Sequence, residues 1–292
     1  MADFRSIQPD EAERLVREGA VRVLDVRQPE EYERLGHIPG AILLPMDLLP
    51  SAPATLPAEG KPWLVYCEHG VRSAAAARFL AQAGFAGLLN LAGGLSRWRG
   101  PRDHAPGDPF AAGPSSWLVE CADLLPRGGR TLDLACGRGR HALLLAAAGF
   151  GVRAVDRDAD AIAALSGVAR RFGMPLEAEA IDLEACAAVD LGSAAYDLVV
   201  VFRYLHRPLF PAIRSALRPG GLLLYETYTT AQAARGKPTN PHFLLEPGEL
   251  ERLAAPLAIV RRREGEFDGA WVSAVAARRG GAPGGGERVS SS

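Results

Sequence analysis

Short apolar runs alternate with polar stretches of helical period along most of the chain. Val21–Val26, Pro62–Cys67 and Gly87–Leu91 are apolar runs bounded by turn residues, and they read as buried strands. Between them, Pro29–Leu35 predicts a short helix, with proline at its start and acids in its first turn. Ser73–Ala83 predicts a longer helix closed by Gly84, and Gly93–Trp98 turns into another short one. The period is then lost. Residues 101–116 are rich in proline, glycine and small side chains, which predicts a linker. Alternation resumes with strands at Thr131–Cys136, Gly151–Asp156, Leu176–Asp182, Tyr196–Phe202 and Leu222–Thr227. Helices are predicted at Arg140–Ala148, Ala159–Arg171 and Pro208–Gly221. No internal repeat is present. Strand–helix alternation on both sides of the linker predicts an α/β chain of two domains, the first built on a parallel, helix-covered sheet. The boundaries fall at 1–101, 102–115 for the linker, 116–279, and a tail at 280–292 too polar and glycine-rich to bury a core.

A length of 292 residues agrees with two domains. A formal net charge of −1 supplies no global field for nucleic acid or acidic lipid. Lys61 and Lys237 are the only lysines, and the arginines are scattered, so no basic stripe marks a nucleic-acid surface. The cysteines Cys67, Cys121, Cys136 and Cys186 form no C-x-x-C pair, which argues against a zinc site or a disulfide framework. The beginning of the chain has no apolar signal region. The apolar run Ala142–Val152 is far shorter than the ~20 residues of a membrane span. The expectation is a cytoplasmic protein without membrane or nucleic-acid partners; composition leaves its oligomeric state open.

Two strand-to-helix turns carry candidate chemistry. In "VYCEHGVRS" (Val65–Ser73) a thiol, Cys67, ends a strand, and Arg72 follows five residues later. Loop amides and the helix N-terminus point donors at such a sulfur and stabilise its thiolate. The arrangement suits a nucleophilic sulfur and equally a cradle for a bound anion, while a small buried cysteine is the bland alternative. In "LDLACGRGRHA" (Leu132–Ala142) the glycines Gly137 and Gly139 allow close backbone approach to a ligand. Asp156 ends the next strand nineteen residues beyond Gly137, a spacing that fits an acid accepting bonds from ribose hydroxyls. A nicotinamide-binding domain shares this pattern. Asp133, placed before the glycines, favours a cationic amino group over a pyrophosphate.

"LDVRQPEEYERLGHIPGAILLP" (Leu24–Pro45), "VYCEHGVRS" and "LAGGLSRW" (Leu91–Trp98), in that order, resemble the rhodanese domain, a single-domain sulfurtransferase, over roughly residues 4–100. The resemblance implies that Cys67 carries a persulfide and that Glu68, His69, Gly70, Val71 and Arg72 wrap its outer sulfur. It makes Asp25 and Arg27 scaffold residues near the site. His37 and His69 read as structural or rim residues. Glu68 places a negative charge in the loop, which favours a protein or small-molecule persulfide over the thiosulfate dianion as donor.

"AIDLE" (Ala180–Glu184), "YDLVVVFRYLHRPLF" (Tyr196–Phe210) and "LRPGGLLLYETYT" (Leu217–Thr229) resemble the class I S-adenosylmethionine-dependent methyltransferases, with a Rossmann-like fold, over residues 117–279. With "NPHFLLEPGEL" (Asn240–Leu250), they look most like the tellurite-resistance type. The resemblance implies S-adenosylmethionine as cofactor. By position, Asp133 and the backbone from Ala135 through Cys136, Gly137 and Gly139 hold its methionine part. Asp156, with Arg157 beside it, holds the ribose. Asp182 and Leu183 flank the adenine, and Phe202 and Arg203 form the cleft floor. Ala135 stands where many such enzymes have glycine. His206 and Arg207 follow the cleft strand; His206 either takes a proton near neutral pH or packs.

The sequence thus predicts a sulfurtransferase joined to a small-molecule methyltransferase, with a small-molecule sulfur donor and a methyl acceptor that is a thiol or other chalcogen. The alternatives are a methyltransferase with a rhodanese domain that only binds or senses, and a sulfurtransferase whose second domain binds the cofactor without catalysis.

Overall fold

The computed structural model describes residues 4–185 and 189–280. Cys186 and, from residue 281 on, the expected tail lie outside the described residues. By packing, the chain gathers into two compact units. One holds the residues through Ser116 with Gly137–Gly149 and Asp158–Ala178; the other holds Trp117–Cys136, Phe150–Arg157 and the residues from Glu179 on.

The first unit contains a five-stranded sheet of β1 (Phe4–Ile7), β2 (Arg22–Asp25), β3 (Ile42–Leu43), β4 (Trp63–Tyr66) and β5 (Leu88–Leu91). Its order is β1-β5-β4-β2-β3, and every pair is parallel. β4 is buried at all four positions, Trp63 to Tyr66, as an apolar run with helices on both faces requires. The helices α1 (Pro9–Arg17), α2 (Pro29–Leu35), α3 (Ala52–Thr55) and α4 (Val71–Gln82) connect the strands. α2 starts at the predicted residue, and a Gln28–Glu31 capping box fixes that start. α4 begins two residues before its predicted start, because Gly70 caps it in the left-handed region. The predicted helix at Gly93–Trp98 is only a 3-10 turn at Leu95–Arg97.

The remaining helices are α5 (Ser116–Glu120), α6 (Arg140–Ala147), α7 (Ala159–Phe172), α8 (Phe210–Ala216) and α9 (Glu249–Ala254). A seven-stranded mixed sheet comprises β6 (Arg130–Leu134), β7 (Gly151–Asp156), β8 (Leu176–Ala180), β9 (Tyr196–Phe202), β10 (Leu217–Tyr228), β11 (Ala258–Phe267) and β12 (Ala270–Arg278). Its order is β11-β12-β10-β9-β6-β7-β8. β7, β6, β9 and β10 pair in parallel, and β12 pairs antiparallel with both β10 and β11. The chain leaves β6 toward β7 and β8 on one side and later returns to its other side as β9. That reversal opens a crevice at the carboxyl ends of β6 and β9.

A second element differs from expectation. The predicted helix Pro208–Gly221 ends at Ala216, and Leu217–Gly221 already belongs to β10. Pro219, Gly220 and Gly221 form an irregularity in the β9 pairing between Leu217 and Leu222, so the strand runs on through residues that usually stop one.

Residues 102–115 carry no helix, as their composition predicts, yet they are not free chain. Asp103 and His37 exchange both backbone hydrogen bonds at 2.8 Å, and Ala112–Ser115 are buried. Native digestion with proteinase K should therefore cut first within 104–111. Mass spectrometry that places the first cut at 112–118 would show that this half is not packed.

Candidate functional site

Cys67 leaves the carboxyl end of β4, the central strand of the first sheet, and Gly70 starts α4 three residues later. Gly70 has φ +85°, and an added Cβ would fall 2.9 Å from the Gly93 nitrogen and 3.0 Å from the Leu91 oxygen. Glycine is thus required twice over, by conformation and by space. The turn aims donors inward. The Gly70 amide donates to Cys67 Sγ at 3.1 Å, and the Ser73 amide and hydroxyl lie 3.4 Å from it. Ser73 Oγ also lies 2.7 Å from Asn90 Oδ1. A hydroxyl has one proton, so Ser73 donates to one of these acceptors at a time. Burial pushes the Cys67 thiol pKa up. The Ser73 hydroxyl and the Ser73, His69 and Gly70 amides outweigh it, and the net shift is downward.

The structure brings the His69 and Gly70 amides and Arg72 to the sulfur, while the Glu68 carboxylate turns to Arg27 and Val71 is 76% exposed. Sequence reading missed Glu31, whose carboxylate binds Arg72 in a bidentate pair at 2.7 and 2.5 Å. The Arg72 hydrogen bond is the main reason the Glu31 carboxyl lies at about 2. The folded pKa is depressed, so the stabilisation it contributes is complete above the ordinary glutamate range and is lost as pH falls toward 2. Asp25 and Arg27 are fully buried and paired with each other, and Arg27 Nη1 reaches Glu68 at 3.3 Å.

In the second unit a cavity of about 610 Å³ opens at the crevice of the seven-stranded sheet. Of the expected residues, Ala135, Asp156, Arg157, Asp182, Leu183 and Arg203 line it. Asp133, Cys136, Gly137, Gly139, Phe202 and His206 do not. Gly139 serves packing, since an added Cβ would fall 2.5 Å from Leu165 Cδ1. Burial holds the Cys136 thiol pKa well above the ordinary range, which fits a packing residue. His206 sits half-buried before a 3-10 turn, and Arg207 is committed to Glu249 at 2.6 Å. Four described non-glycine residues have positive φ, and two of them, Ala135 at +53° and Arg203 at +58°, line this cavity. Such strain tends to collect at binding sites. Sequence reading missed Tyr204, Thr227, Tyr228, Lys237 and Phe243 in the lining. The one usable signal was Lys237, one of two lysines in the chain.

Turns at the carboxyl edges of two α/β sheets, one holding a thiol and one bordering a cavity, define an enzyme acting on small bound groups. Residues 8–100 match the family described as rhodanese-like domain, and residues 115–250 match tellurite resistance protein TehB. Over 115 residues the chain is 36% identical to thiosulfate sulfurtransferase GlpE of Pseudomonas fluorescens, covering 37% of this chain and 99% of that protein. It is 34% identical over 143 residues to Hemagglutinin 1 of Eikenella corrodens, covering 46% of each chain, so it spans less than half of that relative. The crystal structure of TehB from Haemophilus influenzae is similar at 18% identity and a TM-score of 0.48, over 59% of this chain and 66% of that one. The chain belongs to the rhodanese family in its N-terminal part, a sulfurtransferase domain, and its C-terminal part is a TehB-type S-adenosylmethionine-dependent methyltransferase domain. Among the described residues no helix is long and apolar enough to cross a membrane, and no cluster of metal-ligating side chains is present.

The lowered thiol pKa has a direct readout. Alkylation of Cys67 by iodoacetamide, followed by peptide mass spectrometry, should inflect below the ~8.5 of a free cysteine. Ser73→Ala should move the inflection upward. An unchanged inflection in that variant would show that the hydroxyl does not stabilise the thiolate.

Proposed function

We propose that this chain is a two-domain enzyme in which Cys67 carries a persulfide and the second domain methylates a small molecule, a thiol or other chalcogen. The observation that carries the first half is the convergence of amide and hydroxyl donors on Cys67 Sγ at a helix start. Neutral dipoles of this kind favour an anionic sulfur, whether thiolate or persulfide, in a site that excludes water.

The residues of the second site fit S-adenosylmethionine. Ala135, held at φ +53°, and the carboxylates Asp156 and Asp182 line the cavity. When bound, the cofactor supplies a methyl group already activated by a sulfonium. Asp156 accepts from the ribose hydroxyls, Asp182 and Leu183 flank the adenine, and the backbone about Ala135 receives the methionine part. Tyr204, Thr227 and Tyr228 border the space left for the acceptor. No histidine lines the described cavity. A persulfide, or the thiolate fraction of a thiol, reacts without a dedicated base, whereas an alcohol does not.

Cys67→Ser should abolish sulfur transfer while methyl transfer survives; retained transfer at the wild-type rate would end the persulfide reading. The acceptor class is tested with labelled S-adenosylmethionine against thiols, reduced chalcogen compounds, amines and phenols. Turnover confined to amines or phenols would overturn the chalcogen assignment.

Asp156→Ala tests the cleft separately. Losing charge-assisted hydrogen bonds costs ~1.5–3 kcal/mol each, at least tenfold in affinity. Calorimetric titration with S-adenosylmethionine should show that loss, and an unchanged affinity would place the ribose elsewhere.

A further inference from the structure

Arg72 is the side chain that would greet an anionic donor beside Cys67, and Glu31 already holds it. The two form a bidentate pair at 2.7 and 2.5 Å. Glu31 is itself fixed, because its Oε2 accepts from the Gln28 amide at 3.1 Å in the capping box of α2. On the other side of the loop, Arg27 is paired with Asp25 at 2.7 Å and reaches Glu68 at 3.3 Å. The cluster therefore sets three carboxylates against two guanidiniums. Each cation is matched, and one negative charge is in excess. Val71, the first residue of α4, adds an exposed apolar side chain to the loop.

We infer that the Cys67 loop discriminates against dianionic sulfur donors and takes sulfur from a persulfide whose carrier is neutral or cationic, with Glu31 as the specificity-determining residue because it neutralises Arg72. This rests on the reading of Cys67 as a persulfide carrier. In the step, the Cys67 thiolate attacks the outer sulfur of R–S–SH. A sulfur–sulfur bond forms to Cys67 and the donor's own breaks, so R–S⁻ leaves and the proton stays on the transferred sulfur. The same attack on thiosulfate expels sulfite, and it brings two negative charges into a cluster with no unmatched cation. To be held there, thiosulfate must displace Glu31 from Arg72. A persulfide on an uncharged carrier brings at most one negative charge, on the sulfur that is transferred, and needs no such exchange.

The test uses the full chain and reads persulfide on Cys67 by intact mass, with Cys67→Ser as the blank. The donors are thiosulfate and the persulfides of 2-mercaptoethanol and cysteamine. The wild type should load from both persulfides faster than from thiosulfate. Glu31→Gln keeps an amide oxygen for the cap and frees Arg72, and should raise the thiosulfate-to-persulfide ratio roughly tenfold or more, the scale of one unit charge removed a few ångströms from a dianion. Glu68→Gln should raise it as well. A ratio within one variant does not depend on how much of the protein is folded. If thiosulfate loads the wild type as fast as the persulfides and neither variant changes the ratio, the selectivity inference fails while the persulfide reading stands. If no donor loads Cys67, the persulfide reading itself fails.

Discussion

Arg27 is fully buried, and a guanidinium cannot shed its proton to escape the cost. Its charge has to be met where it lies. Nε and Nη2 bind the Asp25 carboxylate at 3.0 and 2.7 Å, Nη2 also donates to the Gly36 carbonyl at 2.8 Å, and Nη1 faces Glu68 at 3.3 Å. One cation thus ties together the end of β2, the end of α2 and the cysteine loop. Its guanidinium lies 5.5 Å over the Tyr66 ring, and the Tyr66 hydroxyl accepts from the Ile38 amide at 3.1 Å. Removing one partner would strand a buried charge, on the order of 3–5 kcal/mol. This anchor holds the Glu68 side chain, while backbone bonds from the neighbouring turn hold the loop's carbonyls.

The two sites solve the same backbone problem in different ways. At Cys67 the chain turns through Gly70, and the loop carbonyls are taken up next door: Leu95 donates to the Cys67 oxygen at 2.8 Å and Ser96 to the Glu68 oxygen at 2.9 Å. With the carbonyls turned outward, the amides are left to face the sulfur. In the second unit the turning residues beside the cavity are Ala135 and Arg203, both with positive φ and a Cβ. Each such conformation costs ~1–3 kcal/mol. The surrounding ladder holds them, since the Cys136 amide donates to the Val155 oxygen at 3.0 Å and the Arg203 amide to the Glu226 oxygen at 2.7 Å.

Much of this was legible in the sequence, for a physical reason. Buried parallel strands are continuous apolar runs, and Val21–Val26, Pro62–Cys67 and Tyr196–Phe202 each coincide with a strand to within a residue or two. β11 escaped because Arg261, Arg262, Arg263, Glu264 and Glu266 leave it no apolar face, and it takes its place by pairing with β12. Proline and glycine at 219–221 read as a stop because a turn is their usual meaning. Only the pairing of β9 with β10 shows that they form a bulge. Among site residues, Cys67 was visible because chemistry and turn coincide within a few positions. Glu31 was not, since it lies 41 residues before Arg72 in the chain and looks like an ordinary first-turn acid of a helix.

The second site distributes its charges differently. Glu226 is fully buried and shared by two guanidiniums, held closely by Arg263 at 2.6 Å and loosely by Arg203 at 3.6 Å. Arg263 is further fixed by Glu120 and by the ring of Trp117, 5.1 Å away. Arg203 has less claim on it: Nη1 is buried without a hydrogen-bond partner, and the side chain borders the cavity. Leaving a buried charged donor unmet is costly unless a ligand meets it. Asp156 ends β7 with Arg157 beside it, Asp182 follows β8 and Arg203 follows β9, so acids and guanidiniums border the cavity on both sides of the point where the strand order reverses. A ligand bearing both hydroxyls and an acceptor group can meet these charges. The cysteine loop, in which Arg27 and Arg72 are each matched by a carboxylate, holds no unmet donor of this kind; beside Arg72, the sulfur meets backbone and hydroxyl dipoles.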